Sequence, residues 1–583
     1  MIEKMTKYSF ILLNREEEGF LEELSGLGVM DITRSAKPID ETSAEMLSKA
    51  ESLNRRINLL ENGDWARDEQ YAALLADKEE AERAFAAREP WGEIDPEKIS
   101  SLEDNGISFH YYLIPEKQYD PQWEEQYAAR VACRKNGKVY LVVAAPAGQK
   151  PDLPFKEVSR PGTSLEEAKR RIDEMTAALA RREEALGDEQ DHLPALKAEY
   201  AARKRELDLY WAKATGERAA EDHLVVYEGF APTSMDKTLA AELDQSGALW
   251  FSEAASTEDN PPIKLKNNKF VKQFEVLTDM YGRPDYNEFD PTPYISIFFM
   301  LFFAMCMGDA GYGLLLIIGG ILLRKVDSFK DLAPLVTTLG VATFIVGIVM
   351  HTFFGVDIAA LPWIPSWLKA VMITGTIAGF EAQMVLSLVI GVIHLCLAMV
   401  VKTVYATRNQ GFLGSLGVWG WTLLIVGGVI LAVIGMLKLI PADILKWVVI
   451  GLGVLSALGI FLFNDIHRNP LKNIGSGLWE TYNTVTGLLG DVLSYLRLYA
   501  LGLAGGMLGK AFNDIATMTL GDGGFGFGWL AFALILIVGH ALNLAMCCLG
   551  AFVHPLRLNF LEFFKNSGYD GKGRKYQPLG NNN

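Results

Sequence analysis

Cysteine is scarce in this chain, with five among 583 residues: Cys133, Cys306, Cys396, Cys547 and Cys548. None forms a C-x-x-C pair, so no zinc-ribbon site or disulfide framework is expected. All five read as reduced thiols and small apolar core residues. Histidine is nearly as scarce, and His110, His192 and His223 stand alone in the first half without a ligand cluster around them. A phosphate-binding loop is absent as well. The stretch Ala504-Gly505-Gly506-Met507-Leu508-Gly509-Lys510-Ala511 lacks the first glycine and the hydroxyl residue of such a loop, and it follows no strand. Its small residues suit close helix packing instead. No cofactor, metal site or catalytic constellation is therefore expected. Nor is there a signal-peptide core: Met1 to Lys7 runs into a short apolar strand, which leaves the first half in the cytoplasm.

Charge is also missing, but from one half only. Residues 291–583 hold 17 Lys/Arg and 13 Asp/Glu, net +4, whereas the whole chain carries −16. The first 290 residues are thus an acidic soluble region and the rest a membrane domain. An acidic soluble region excludes nucleic acid as a natural partner.

In the soluble half, Tyr8–Leu13, Glu16–Leu24 and Val29–Ile32 read as strand, helix, strand. The same grammar returns at Leu224–Gly229, Met235–Leu243 and Ala248–Phe251. Two such units pair into one ferredoxin-like lobe, residues 1–40 and 223–255, with everything between them inserted. The insertion opens with Thr42-Ser43-Ala44-Glu45, a capping box, and an apolar 4,3,4,3 spacing from Met46 to Leu60. Ser164-Leu165-Glu166-Glu167 opens a second heptad-like helix, which Pro194 should interrupt. These helices, 42–90 and 164–215, read as an antiparallel coiled-coil stalk, with an ordinary helical bundle as the alternative. Between them a distal α/β lobe, 95–150, begins with Asp95-Pro96 as cap and first helical residue. It contains Asn136-Gly137, a hairpin turn. The soluble half is expected to be a dumbbell, a strut rather than an enzyme.

The membrane half, 291–583 after a linker at 261–290, predicts an α-helical multi-pass domain. Gly308-Asp309-Ala310-Gly311 splits the first apolar block into a hairpin, 291–306 and 309–324. Further spans fall at 332–351, 381–402, 411–436, 445–464, 475–517 and 525–564, eight in all. With both termini cytoplasmic, the inner segments receive Arg324, Lys325, Lys330, Lys402, Arg408, Arg468, Lys472 and the basic tail, as the positive-inside rule requires. Asp309 then lies deep in the membrane region, where it needs burial in protein or a wet cavity. The last two spans, about 40 residues each, exceed the 20 or so of a perpendicular crossing and must tilt, bend or project.

Within the first of these lies Arg497. A central arginine costs roughly 2.5–3.5 kcal/mol on insertion scales, and its guanidinium cannot shed the charge. It is a functional-site hypothesis that needs a partner carboxylate. Asp491 is a poor geometric match, so the partner is expected on another chain. The same helix carries Glu480, Asn483, Thr484, Asp491 and Ser494. The final helix places His540, Asn543, Cys547, Gly550, His554 and Arg557 on one face. Arg557, near the cytoplasmic end, could also snorkel to the headgroups. Two polar rows on tilted helices suggest a water-accessible path, or two half-paths, for a small ion.

These motifs resemble a known family. Pro261-Pro262-Ile263-Lys264-Leu265-Lys266-Asn267-Asn268, Asp290-Pro291-Thr292-Pro293, Gly308-Asp309-Ala310-Gly311-Tyr312-Gly313, Ser494-Tyr495-Leu496-Arg497-Leu498 and His554-Pro555-Leu556-Arg557-Leu558 resemble the membrane stator subunit of V-type and A-type rotary ATPases (subunit a, prokaryotic subunit I). The resemblance implies that Arg497 faces a ring of rotor subunits and engages each ring carboxylate in turn. A fixed cation there favours the deprotonated carboxylate and blocks leakage between offset half-channels. It implies that Arg557 shares the interface and that other subunits handle ATP. The implied partners are the proteolipid rotor ring, E/G-type peripheral stalks, a d/C-type central-stalk cap, the lipid bilayer and translocated H⁺ or Na⁺.

One departure is notable. Eukaryotic relatives carry a glutamate about ten residues before the second arginine, where this chain has Cys547, and 541–556 holds no carboxylate. His540, His554, Asp491 and Glu480 are the candidate substitutes. Two rival readings exist. A secondary transporter would show inverted repeats, which the spans lack. A purely structural tether leaves Arg497 unexplained.

Overall fold

The computed structural model describes residues 1–34, 39–93, 96–159, 165–326, 329–377, 379–462, 470–520 and 527–580. Ser164 and Asp95, two of the expected helix caps, and Arg468 fall outside the described residues. The chain divides into two compact units, one of residues 38–207 and the other of 1–37 with 208–583.

The 38–207 unit pairs helices with a small sheet. The first helix, Glu41–Asn62, begins one residue before Thr42 because Asp40 is its N-cap. The Asp40 side chain accepts from Ser43 N while the Ser43 hydroxyl faces the Asp40 backbone N–H. This corrects the expected capping box on Thr42: the stronger acceptor two residues upstream wins the role. The expected 42–90 helix is two, since Gly63, at φ +62°, ends the first and Asp68 caps Glu69–Arg88. The second heptad helix is likewise two, Leu165–Asp191 and Leu193–Ala214, with the break just before Pro194. Glu69–Arg88 packs along Leu165–Asp191. Asp68, 6 % exposed, accepts from Arg56 (2.8 Å) and from both Nε and Nη2 of Arg182 (3.1 and 2.8 Å). The sheet of this unit runs Ala129–Lys135, Lys138–Pro146, Ile107–Pro115, Glu157–Val158. Asn136 and Gly137, both at positive φ, close its hairpin.

In the other unit, strands Asp31–Ile32, Leu224–Pro232, Met5–Leu13 and Leu249–Ala254 lie side by side, all antiparallel. The two strand–helix–strand segments interleave in this sheet. Phe20, Leu24, Leu239 and Leu243, from the two helices, pack on Tyr8, Phe10 and Tyr227.

The second half is helical. Among the described residues, five helices are long and apolar enough to cross a membrane: Ala382–Gly414, Leu416–Met436, Ala442–Phe461, Asn473–Met518 and Gly528–Ser567. Three shorter apolar helices precede them: Thr292–Met307, Ala310–Leu323 and Ala333–Val349. The last two of these press together through glycine. A methyl at Gly313 would lie 2.4 Å from Phe344 N, and one at Gly347 2.2 Å from Ala310 N. The Ala382–Gly414 helix runs well past the expected end at 402, to a break at Gly411 (φ +77°). Its polar extension is held by contacts: Tyr405 on Phe289, and Thr407 bonded to Ser415 and Trp419. Phe299, Phe302, Phe303, Tyr495, Phe563 and Phe564 anchor the core where these helices converge.

Candidate functional site

The site is built on an interruption. The long Asn473–Met518 helix loses its regular hydrogen bonding at Tyr495, two residues before Arg497. Tyr495 is fully buried, and its hydroxyl is hydrogen-bonded to Nδ1 of His394 at 2.9 Å. The His394 ring is stacked between Phe298 (4.2 Å) and Phe563 (4.7 Å). Gly391, one turn earlier on that helix, leaves room for the tyrosine: a methyl there would lie 2.3 Å from its ring. Three helices thus fix the backbone that carries Arg497.

Arg497 is half-buried, and its Nη1 is buried without a hydrogen-bond partner among the described residues. A cavity lies to either side of it along the same helix. The first, of about 280 Å³, is lined by Lys402, Thr422, Glu480, Asn483, Asp491 and Lys565 among others. The second, of about 510 Å³, is lined by Gly308, His351, Asp357, Glu381, Gly502 and Lys510 among others. Asp491 is six residues before Arg497 and Gly502 five after it, so each cavity wall is about 8–9 Å of helix rise away. Both walls are mixed, with charged side chains set among apolar ones. Asp491 accepts from Asn566 (2.9 Å) and pairs with Lys565 (3.6 Å) rather than with Arg497. Ser494 turns its hydroxyl back to Gly490 O (3.2 Å). Across the second cavity, His351 meets Asp357 at 3.0 Å, and Tyr499 donates to Glu381 at 2.5 Å.

The polar row of the last helix is divided. Its upper part is satisfied within the protein. Asn543 is fully buried and donates to Tyr312 Oη (2.8 Å) and Gly505 O (2.9 Å), and the Cys547 thiol faces Asn543 Oδ1 (3.4 Å). His540 bridges Tyr312 (2.8 Å) and Asn513 (3.0 Å). The expectation that this face opens to water is therefore corrected at Asn543, because the Ala310–Leu323 and Asn473–Met518 helices supply its partners. Lower down, His554 stands within electrostatic reach of both Arg497 and Arg557, and its Nδ1 is buried without a hydrogen bond among the described residues. Arg557 is exposed. It follows Pro555, which lies inside the helix and disrupts its hydrogen bonding, and it precedes a π-helical turn at Leu558–Phe563. Both arginines thus flank helix irregularities.

Asp309 is 1 % exposed and wholly engaged by backbone N–H groups. Oδ1 accepts from Gly311 (2.8 Å), Tyr312 (3.3 Å) and Phe354 (2.8 Å), and Oδ2 from Gly355 (2.8 Å).

Sequence reasoning misses three carboxylates, Asp357 and Glu381 at the second cavity and Glu562 near the first. Glu562 is 3 % exposed, its Oε2 has no hydrogen-bond partner among the described residues, and Asp491, Ser494, Tyr495 and Arg497 are among the polar groups around it. It lies on the π-helical turn, six residues beyond the 541–556 window, and its signal is being a lone acidic residue in the apolar run Phe560-Leu561-Glu562-Phe563-Phe564. His394 is missed for the same reason, as the one histidine of its apolar helix.

Comparison with known proteins yields one family. Residues 152–331 and 478–580 match the V-type ATPase 116kDa subunit family. The chain is 27 % identical over 647 aligned positions to V-type ATP synthase subunit I 1 of Treponema pallidum, covering 99 % of this chain and 100 % of that one. It is 34 % identical over 334 positions to A-type ATP synthase subunit I of Pyrococcus abyssi, covering 55 % of this chain and 48 % of the relative. With A-type ATP synthase subunit I of Methanocaldococcus jannaschii the identity is 33 % over 393 positions, covering 61 % and 55 %. The chain thus spans about half the length of these archaeal relatives in the matched region.

Proposed function

This chain belongs to the V-type ATPase 116kDa subunit family, and on that premise we propose that it is the ion-translocating membrane stator subunit of a rotary ATPase, not a catalytic subunit. Arg497 is the fixed cation that meets the carboxylates of a passing rotor ring. The two cavities are the inner and outer half-channels. The observation that carries this reading is the placement of a buried, unpartnered guanidinium nitrogen between two cavities on one helix, each lined in part by charged residues. A charge kept in apolar surroundings at insertion cost needs a compensating anion, and none of the described carboxylates forms an ion pair with it.

Each half-channel ends short of the arginine, so an ion crosses only by riding the ring from one to the other. Glu480, Asp491, Ser494 and Glu562 belong to the inner path. Glu381, His351 and Asp357 belong to the outer one. Arg557 and His554 line the ring-facing surface beside Arg497, and His540 and Asn543 hold the last helix against its neighbours. Apolar side chains left uncovered on the two long helices, among them Tyr482, Leu489, Leu493, Met546, Leu549 and Val553, suit a ring and lipid. The first 260 residues serve as a cytoplasmic dumbbell with a coiled-coil stalk that docks peripheral stalks, and the central-stalk cap is a further partner. The protein sits in the cell membrane with eight spans and both termini inside.

The test is Arg497→Gln, with Arg497→Lys beside it, in the assembled complex in sealed vesicles. Both should assemble and insert, and both should lose ATP-driven ion transport, because lysine can release its proton when desolvated and lacks the planar fork. Near-normal pumping by an assembled Arg497→Gln complex would sink the reading.

A further inference from the structure

The last membrane helix does not end free. After Ser567 the chain runs as an extended strap through residues 569–580 to the N-terminal lobe. Tyr569 donates to Gly282 O (2.7 Å), and Asp570 N donates to Glu288 (2.7 Å). Gly573 N bonds Arg283 O (2.9 Å), and Ile263 and residues 574–576 exchange Ile263 N to Arg574 O (2.6 Å) and Tyr576 N to Ile263 O (3.2 Å). The strap then reaches the lobe itself. The Tyr576 hydroxyl donates to Val29 O, Gln577 N to Asp31 Oδ2 (2.7 Å) and Leu579 N to Met30 O (2.8 Å). Arg574 pairs with Asp31 at 3.7 Å, and the Asp31 side chain is 3 % exposed. Leu579 is fully buried in the lobe core with Tyr8, Phe10 and Phe20.

We infer that Asp31 and Leu579 are positioning residues for ion coupling: through the strap they pin the lobe to the helix that carries Arg557, so that the lobe holds the membrane domain at two points. The inference rests on the stator reading above. The first attachment is residues 255–291, which lead from the lobe sheet into the Thr292–Met307 helix and are bonded on the way to the start of the chain, Glu3 N to Lys264 O (2.9 Å) and Met5 N to Tyr286 Oη (3.0 Å). An attachment that enters the membrane domain through one helix resists pulling but lets the attached body turn about that helix. A second tether on a different helix removes that freedom. A stator helix pressed by a turning ring feels a sideways load, and the load grows with the opposing ion gradient. Among the described residues no hydrogen bond or ion pair joins the strap to Asp491, Arg497 or Glu562, and the partners of Asp491 are Asn566 and Lys565, so the effect of the strap should appear only under load.

The whole complex in sealed vesicles tests this. A protease site inserted after the exposed Asp570 allows the strap to be cut after assembly, so that folding is not at issue. Cutting, or Leu579→Ala combined with Asp31→Asn, should leave ATP hydrolysis and the initial rate of ion uptake into gradient-free vesicles unchanged. The gradient reached at steady state should fall severalfold, with ATP still being consumed. Increased protease access to residues 572–580 in the double variant reports that the strap has been released. A cut or released strap with an unchanged steady-state gradient overturns the inference. Loss of uptake already at zero gradient also overturns it, because the strap would then support the path itself. Arg497→Gln separates the two readings, since it should lose transport at every gradient. If Arg497→Gln pumps normally the stator reading fails, whereas a load-dependent loss confined to the strap variants bears on the strap alone.

Discussion

Tyr495 and His394 are both fully buried and share a hydrogen bond of 2.9 Å, two residues from Arg497. The pair is what holds the interrupted helix to its neighbour. Tyr495→Phe keeps the ring and removes the bond, at a cost of about 1–2 kcal/mol for the orphaned imidazole nitrogen. The chain should still accumulate in membranes, with ATP-driven transport reduced severalfold. Gly391→Ala forces a methyl to within 2.3 Å of the Tyr495 ring and should be the more damaging change. Vesicle uptake assays on the two variants check the order.

Asp309 should behave as a clamp rather than a carrier. Its two oxygens accept four backbone N–H groups from the helix it caps and from the loop at Phe354–Gly355. Asparagine offers one oxygen and turns an amide toward a donor. Asp309→Asn should therefore cost about 1–3 kcal/mol or more for unpaired buried groups, visible as reduced accumulation and faster proteolysis of the membrane domain. A normally folded Asp309→Asn that lacks only transport would place Asp309 in the path instead.

Glu562→Gln tests the buried carboxylate found in the structure. The residue is buried with one oxygen unpartnered, so replacing a potential charge by an amide of the same shape should not destabilise the chain. Transport should fall severalfold at every gradient. Thermal unfolding of the detergent-solubilised complex and vesicle uptake report the two effects separately.

The Asp68 cluster gives a pH signature in the soluble half. Hydrogen bonds from Arg182, aided by Arg56 and Tyr71 N, hold the Asp68 carboxyl well below the usual carboxylate range. A group depressed on folding contributes its stability in full above its unfolded pKa of about 4 and loses it as pH falls toward the folded value. Asp68→Asn should therefore destabilise the 38–207 unit by about 3 kcal/mol at neutral pH, with the difference from wild type shrinking below about pH 4. Limited proteolysis of full-length protein from pH 7 to 3 measures it.

The parts of the fold that follow local rules are legible in the sequence. The apolar runs locate the membrane helices, and Gly308 supplies the αL residue that ends one short helix before Asp309 caps the next. Arg497 is legible because its charge is anomalous where it lies. What is not legible depends on distant chain. Asp309 finds half its partners 45 and 46 residues away. The extension of the Ala382–Gly414 helix rests on Phe289 and Trp419, not on its own polar residues. Glu562 escapes because its burial comes from a π-helical turn that no periodicity announces. Asn543 shares a face with His554, yet its surroundings differ because Tyr312 and Gly505 cover only the upper part of that face.

The seat of Leu579 in the lobe sets an order of synthesis. The strands at Met5–Leu13 and Leu224–Pro232 leave the ribosome long before Leu579 does, and the membrane helices are made in between. The seat of Leu579 in the lobe interior therefore stays unfilled until the last apolar helix has been made. A lobe with that seat filled marks a chain that has been synthesised through its last apolar helix.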